Sequence, residues 1–127
     1  MNSQIIHTNK APAAIGPYSQ GVIANNFLFI SGQIPVNPDT GEVIQGDIVK
    51  QTKQCMHNLE AICQAASVSL AQIVKTTVYI TNLDLFSQVN EAYGSFFPHN
   101  PPARVCVEVS RLPKDVLVEI DAIATLD

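Results

Sequence analysis

The sequence predicts an α+β fold, because it carries one long amphipathic stretch at helical spacing, five short runs with the character of strands, and an order that interleaves the two types. At 127 residues the chain can bury one core without metal or disulfide staples, so a single domain spanning residues 1–127 is expected. Apolar residues form 46% of the chain and charged ones only 14%, against roughly 25% in ordinary soluble domains. A surface so poor in charge is expected to hide part of itself in an oligomer.

The first elements are two apolar runs, 20–24 and 27–31, separated by Asn25-Asn26, a pair suited to a hairpin turn. Residues 34–46 follow, where Pro35, Pro38, Gly41 and Gly46 with Asn37 and Asp39 mark successive turns. Over 47–66 the residues Ile48, Cys55, Met56, Leu59, Ile62, Cys63 and Ala66 recur at intervals of three and four, one stripe of an amphipathic helix for which Asp47 is the N-cap candidate. Residues 73–81 alternate Val74, Thr76, Val78 and Ile80 against Lys75, Thr77, Tyr79 and Thr81, which predicts a strand. A second helix starts near Asn82 or Asp84, carries Phe86, Val89, Tyr93, Phe96 and Phe97 at helical spacing, and ends before Pro98. Strands at 104–109 and 116–124, joined by SRLPKD, complete the chain. Helices lying between strands can each cover one sheet face, so the expected architecture is a mixed β-sheet with two helices packed on one face. The other face, bare and apolar, is expected to pack against copies of itself in a closed ring.

Composition excludes several function classes. The formal net charge is -4 and the seven Lys and Arg residues are scattered, so the global field opposes nucleic acid. The first ten residues lack a charged segment followed by an apolar one, and no apolar run approaches the roughly 18 residues of a membrane span, which predicts a cytoplasmic protein with no membrane partner. Cys55, Cys63 and Cys106 are odd in number without CxxC spacing, and read as reduced thiols rather than disulfides or zinc ligands. His7, His57 and His99 match no ligand spacing, so no metal site is expected.

Two ionisable residues stand out in the carboxyl-terminal strands, Arg104 among Pro102, Ala103, Val105 and Cys106, and Glu119 between Val118 and Ile120. Both lie in runs that otherwise read as core, and buried charges are costly unless paired or given a ligand. One reading is a salt bridge, internal or between subunits. The other is an anion clamp beside a base, since a guanidinium grips a carboxylate at two points and a carboxylate can orient or deprotonate water.

The stretches PPARVCVEVSRLPKDVLVEI at 101–120, APAAIGPYSQG at 11–21 and SGQIPVNPDTGEV at 31–43, together with IVKTTVYI, resemble the motifs of the Rid (YjgF) family in the family's order and cover nearly the whole chain. The resemblance implies a chorismate-mutase-like α+β fold and a homotrimer with inward-facing sheets and three clefts between subunits. It also implies hydrolysis of 2-imino acids such as 2-iminobutanoate and 2-iminopropanoate to 2-keto acids and ammonia, without a cofactor and in functional linkage with pyridoxal-phosphate-dependent dehydratases. Under it Arg104 grips the substrate carboxylate, Glu119 positions the attacking water, and Cys106 lines the cleft through its backbone. Tyr18, Ser31, Gly32 and Asn90 fall on further pocket positions. From the residues alone, Tyr18 also reads as a core aromatic, Ser31 and Gly32 as turn formers, Asn90 as an exposed helix residue and Cys106 as a small packing residue. Family members have also been given regulatory or ligand-binding roles, and the label of endoribonuclease or translation inhibitor, against which the acidic balance speaks; these stand as alternatives to the deaminase.

Overall fold

The computed structural model describes residues 3–127. Its elements are β1 (Ser3–Ile6), β2 (Gly21–Ala24), β3 (Phe27–Gln33), α1 (Ile48–Ala65), β4 (Ile73–Ile80), α2 (Phe86–Gly94), β5 (Ala103–Glu108) and β6 (Val118–Thr125). The strands form one sheet in the order β1-β2-β3-β6-β4-β5. Among the described residues only the β4 to β5 pairing is parallel, and α2 makes the crossover between them. The last strand, β6, inserts antiparallel between β3 and β4 and so closes the sheet around the longest-range contacts in the chain.

The predicted hairpin is present, with Asn25 and Asn26 both in the left-handed region at φ 51° and 64°. Two consecutive positive φ angles give the turn whose twist matches flanking strands, and asparagine tolerates them well. The predicted long helix is present too. Asp47 Oδ1 accepts from the Val49 and Lys50 N–H groups at 2.8 and 3.3 Å, satisfying two of the four free donors at the helix start. Cys55, Met56, Leu59, Ile62 and Cys63 are fully buried against the sheet. Truncating Leu59 there would cost about 2–5 kcal/mol.

Both helices lie on one face, as expected: α1 packs on β3 and β6, and α2 packs beside α1 with the Tyr93 hydroxyl 2.6 Å from Thr76 Oγ1 of β4. The opposite face is bare. Phe27, Phe29 and Val105 remain 41%, 44% and 45% exposed on it. Among the described residues no helix is long and apolar enough to cross a membrane.

Three expectations need correction. The strand β1 was not predicted, because Ser-Gln-Ile-Ile shows no two-residue period; it is an edge strand whose first three residues are exposed. Val74 does not share the buried side of β4. The β4 to β6 register shifts between Ile73 and Lys75, so Ile73 is buried and Val74 exposed. Nor is Arg104 in a core strand, since β5 is the other sheet edge, with every residue exposed or half-buried.

Candidate functional site

Strand register decides which candidate side chains can meet. Arg104 pairs with Thr76, which in turn pairs with Ala122, all on the helix-covered face. Glu119 pairs with Tyr79, which pairs with Val107, on the bare face. Two strand spacings across and three residues along put their Cα atoms roughly 14 Å apart. A single chain therefore does not bring Arg104 and Glu119 together.

The first half-site surrounds Arg104. Its Nη1 donates to Asn90 Oδ1 at 2.7 Å, and its guanidinium carbon lies 5.4 and 5.1 Å from the ring centres of Phe86 and Tyr93. All three partners sit on α2, whose helical spacing brings positions 86, 90 and 93 to one face. The rings attract the cation and the amide fixes its rotation. A cavity of about 490 Å³ beside it is lined by Asn90, Tyr93, Gly94, Phe97, Pro101, Pro102 and Arg104. Among the described residues the ion pairs are His57–Glu60 and Arg111–Asp115, so the internal Arg104–Glu119 salt bridge does not form. Cys106, two residues on and on the same face, is half-buried; burial pushes its thiol pKa up and the Arg104 charge opposes that only in part. Such a thiol is a poor nucleophile.

The second half-site is built on an irregularity in β3. Ile30 pairs with Ala122 and Gln33 with Ile120, leaving Ser31 and Gly32 opposite Asp121 alone. The Ser31 hydroxyl donates to the Ser19 carbonyl at 2.6 Å and its N–H to the Gln20 carbonyl at 3.0 Å, which ties the loop carrying Tyr18 to the bulge. Buried Gln20 then donates to the Thr8 and Pro12 carbonyls at 3.0 and 2.8 Å and fixes the next loop. Tyr18 is 51% exposed, so it is no core aromatic. It lines a cavity of about 520 Å³ with Ile15, Gly32, Ile34, Val36 and Lys114, among others.

Glu119 lies directly against Gly32 of this half-site. A methyl group at Gly32 would overlap its carboxylate oxygen and come within 3.0 Å of Glu119 Cδ, so only glycine leaves that carboxylate its place. Burial, and secondly the Asp121 charge, push the Glu119 carboxyl above its ordinary pKa, as suits a group that must take up a proton. Gly32→Ala is accordingly expected to fold with a small change in Tm yet to displace Glu119. Whatever reaction depends on that carboxylate should fall at least tenfold, read as kcat/KM beside a thermal melt.

Of the residues singled out by the sequence reading, Arg104 and Asn90 lie in one place, and Tyr18, Ser31, Gly32 and Glu119 in another. That reading misses Phe86 and Tyr93 as partners of Arg104, because both sit on the apolar stripe of a helix and read as core. It also misses Gln20 and Lys114; a glutamine inside an apolar run was the available signal for the first. Among the described residues no cluster of His, Cys, Asp and Glu could hold a metal ion.

A family model described as endoribonuclease L-PSP matches residues 8–126. The chain is 54% identical over 125 residues to the 2-iminobutanoate/2-iminopropanoate deaminase of Escherichia coli K12, covering 96% of this chain and 97% of that one. Its fold is similar to the crystal structure of YyfA, a Rid-family protein of Yersinia pestis, with a TM-score of 0.96, 50% identity and coverage of 98% and 99%. It is likewise similar to Escherichia coli TdcF with bound serine, with a TM-score of 0.92, 49% identity and coverage of 96% and 98%.

Proposed function

Since the chain belongs to the Rid (YjgF) family, which the endoribonuclease L-PSP model describes, we propose that it is a deaminase that hydrolyses 2-imino acids to 2-keto acids and ammonia. 2-Iminobutanoate and 2-iminopropanoate are its substrates, as the name of the Escherichia coli relative has it. The observation that carries this reading is the Arg104 guanidinium, oriented by Asn90 and two rings and without a carboxylate partner among the described residues. With one nitrogen engaged by Asn90, the remaining donors can grip a small carboxylate at two points. The TdcF relative holding serine, itself a carboxylate-bearing molecule, supports a guest of that class.

The two half-sites make one site when the β5 edge of one subunit meets the β3 to β6 region of the next. Such a head-to-tail contact closes into a ring, and the bare apolar face supports the homotrimer that the family resemblance implies. In each of three clefts Arg104 of one subunit anchors the substrate carboxylate, while Tyr18, Ser31, Gly32 and Glu119 of its neighbour hold water against the imine carbon. Asn90 and the backbone at Cys106 complete the wall on the arginine side.

Glu119 carries the proton. As the water oxygen bonds to the imine carbon, its O–H bond breaks toward the carboxylate and the C=N pair moves to nitrogen. The carboxyl then returns that proton to nitrogen, giving the neutral carbinolamine; the same carboxylate takes the hydroxyl proton and passes it to the amine nitrogen, and as the O–H pair forms the C=O the C–N bond breaks and ammonia leaves with the bonding pair. Every step is proton transfer and addition or elimination at carbon, which these side chains supply by themselves. Imines hydrolyse in water unaided, so orientation and one proton transfer worth about 10²- to 10⁴-fold are enough.

The test couples the protein to a pyridoxal-phosphate-dependent threonine dehydratase, the class of enzyme that releases 2-iminobutanoate, and follows 2-ketobutanoate against semicarbazide trapping of the imine. Faster ketoacid release and less trapped imine are expected; rates equal to a no-protein control would contradict the reading. The family model's description favours one other reading, RNA cleavage. A net charge of -4 with basic residues scattered in sequence gives no overall electrostatic drive toward phosphate backbones, and cleavage that vanishes on further purification would dispose of this reading.

A further inference from the structure

The bare face of β6 carries a second carboxylate that the deaminase reading leaves unused. Asp121 follows Glu119 by two residues, so both side chains leave the same face, their Cα atoms roughly 7 Å apart. Tyr79, the β4 residue opposite Glu119, does not hydrogen bond to it. Its hydroxyl donates instead to Asp121 Oδ2 at 3.2 Å. Asp121 is thereby held beside Glu119 by a donor from the next strand.

Resting on the deaminase reading, we propose that Asp121, held by the Tyr79 hydroxyl, is a positioning residue that acts on Glu119 through its charge and strengthens it as the base for the attacking water. Two carboxylates this close disfavour each other's ionised form, and the effect grows where water is partly excluded. The groups around the pair leave that repulsion in place. On β4 the same face adds Lys75, opposite Ile123 and one step beyond Asp121. Neighbouring β3 contributes Phe29, Ser31 and Gly32, which are neutral, and β5 contributes Val105 and Val107. Below the sheet, α1 presents only the buried Cys55 thiol, 3.7 Å from the Val118 carbonyl, and burial with the Glu119 charge raises its pKa further. Burial first and Asp121 second likewise raise the Tyr79 pKa, so the phenol stays protonated and keeps donating.

Asp121→Asn removes the charge while keeping the shape. The Glu119 carboxyl, followed by ¹³C NMR in glutamate-labelled protein, is expected to titrate at lower pH than in wild type. The acid limb of kcat/KM for 2-imino acid hydrolysis should move the same way, with a plateau lower by a few-fold because a weaker base transfers the proton less readily. Asp121→Glu, which restores the charge, should bring the limb back toward wild type. Tyr79→Phe keeps the charge but frees its position, and should shift both readouts in the same direction by less; it also carries the test if Asp121→Asn does not fold. An unchanged Glu119 midpoint and acid limb in these variants would overturn the proposal. Absence of imine turnover in wild type would instead sink the deaminase reading, whatever the carboxyl titration reports.

Discussion

Arg104→Ala is expected to lower kcat/KM for 2-imino acids by roughly 30- to 5,000-fold, the about 2–5 kcal/mol typical of losing one partner of a desolvated charge pair. Little of that loss should come from unfolding. The side chain is half-buried on an edge strand, and its contacts with the Phe86 and Tyr93 rings are worth about 0.5–1 kcal/mol each at such sites, which limits the fall in Tm to a few degrees. Arg104→Lys is the sharper variant. It keeps the charge over the rings, but an ammonium cannot engage Asn90 and both oxygens of a substrate carboxylate in one plane, so most of the activity should still be lost. Steady-state kinetics beside circular dichroism melts separate the two effects. Lysine activity within threefold of wild type would show that charge alone suffices and that the fork geometry is incidental.

Glu119→Gln should have the second large effect, and on two observables with opposite sign. Without a carboxylate to take the proton of water, activity should fall about 10²- to 10⁴-fold. Stability should rise. Folding raises the Glu119 pKa, so the native state favours the protonated form. The associated stability is fully present below the unfolded carboxyl pKa and is lost as pH rises through the higher folded value. At neutral pH wild type therefore carries a desolvated charge that glutamine removes. Thermal melts at neutral pH should show a gain of a few degrees in Glu119→Gln that disappears at strongly acidic pH. A variant that loses stability at neutral pH would mean that the carboxylate is held by favourable contacts instead.

Much of the fold could be read from local pattern. Asn25-Asn26 announced its turn because few residues tolerate two left-handed angles in succession, and the stripe from Ile48 to Cys63 announced α1 because its spacing fits a helix and no strand. In β6 the alternation of Val118, Ile120, Ala122 and Ala124 against Glu119 and Asp121 held without interruption, so the exposed side of that strand was legible. The shifts in register were not. Val74 changed sides because one extra residue enters β4 there, and Ser31 with Gly32 form a bulge only because β6 pairs on either side of them. Strand order escaped for a related reason: that the final strand inserts between β3 and β4 is a property of contacts far apart in sequence. The candidate site was legible only as a set of residue types and motifs. Its division into two half-sites was not, since the faces taken by Arg104 and Glu119 depend on registers across two strand pairs.

The central claim is that arginine and glutamate cooperate across a subunit junction, and mixing inactive subunits tests it most directly. Arg104→Ala and Glu119→Gln proteins, unfolded together in equal amounts and refolded, should regain activity, because a cleft that draws its arginine from one variant and its glutamate from the other is intact. Random assembly makes half of all subunits competent for each role, so roughly a quarter of wild-type activity should return, with a trimer mass in solution. A refolded mixture no more active than the two variants refolded separately, at the same mass and yield, would contradict the claim.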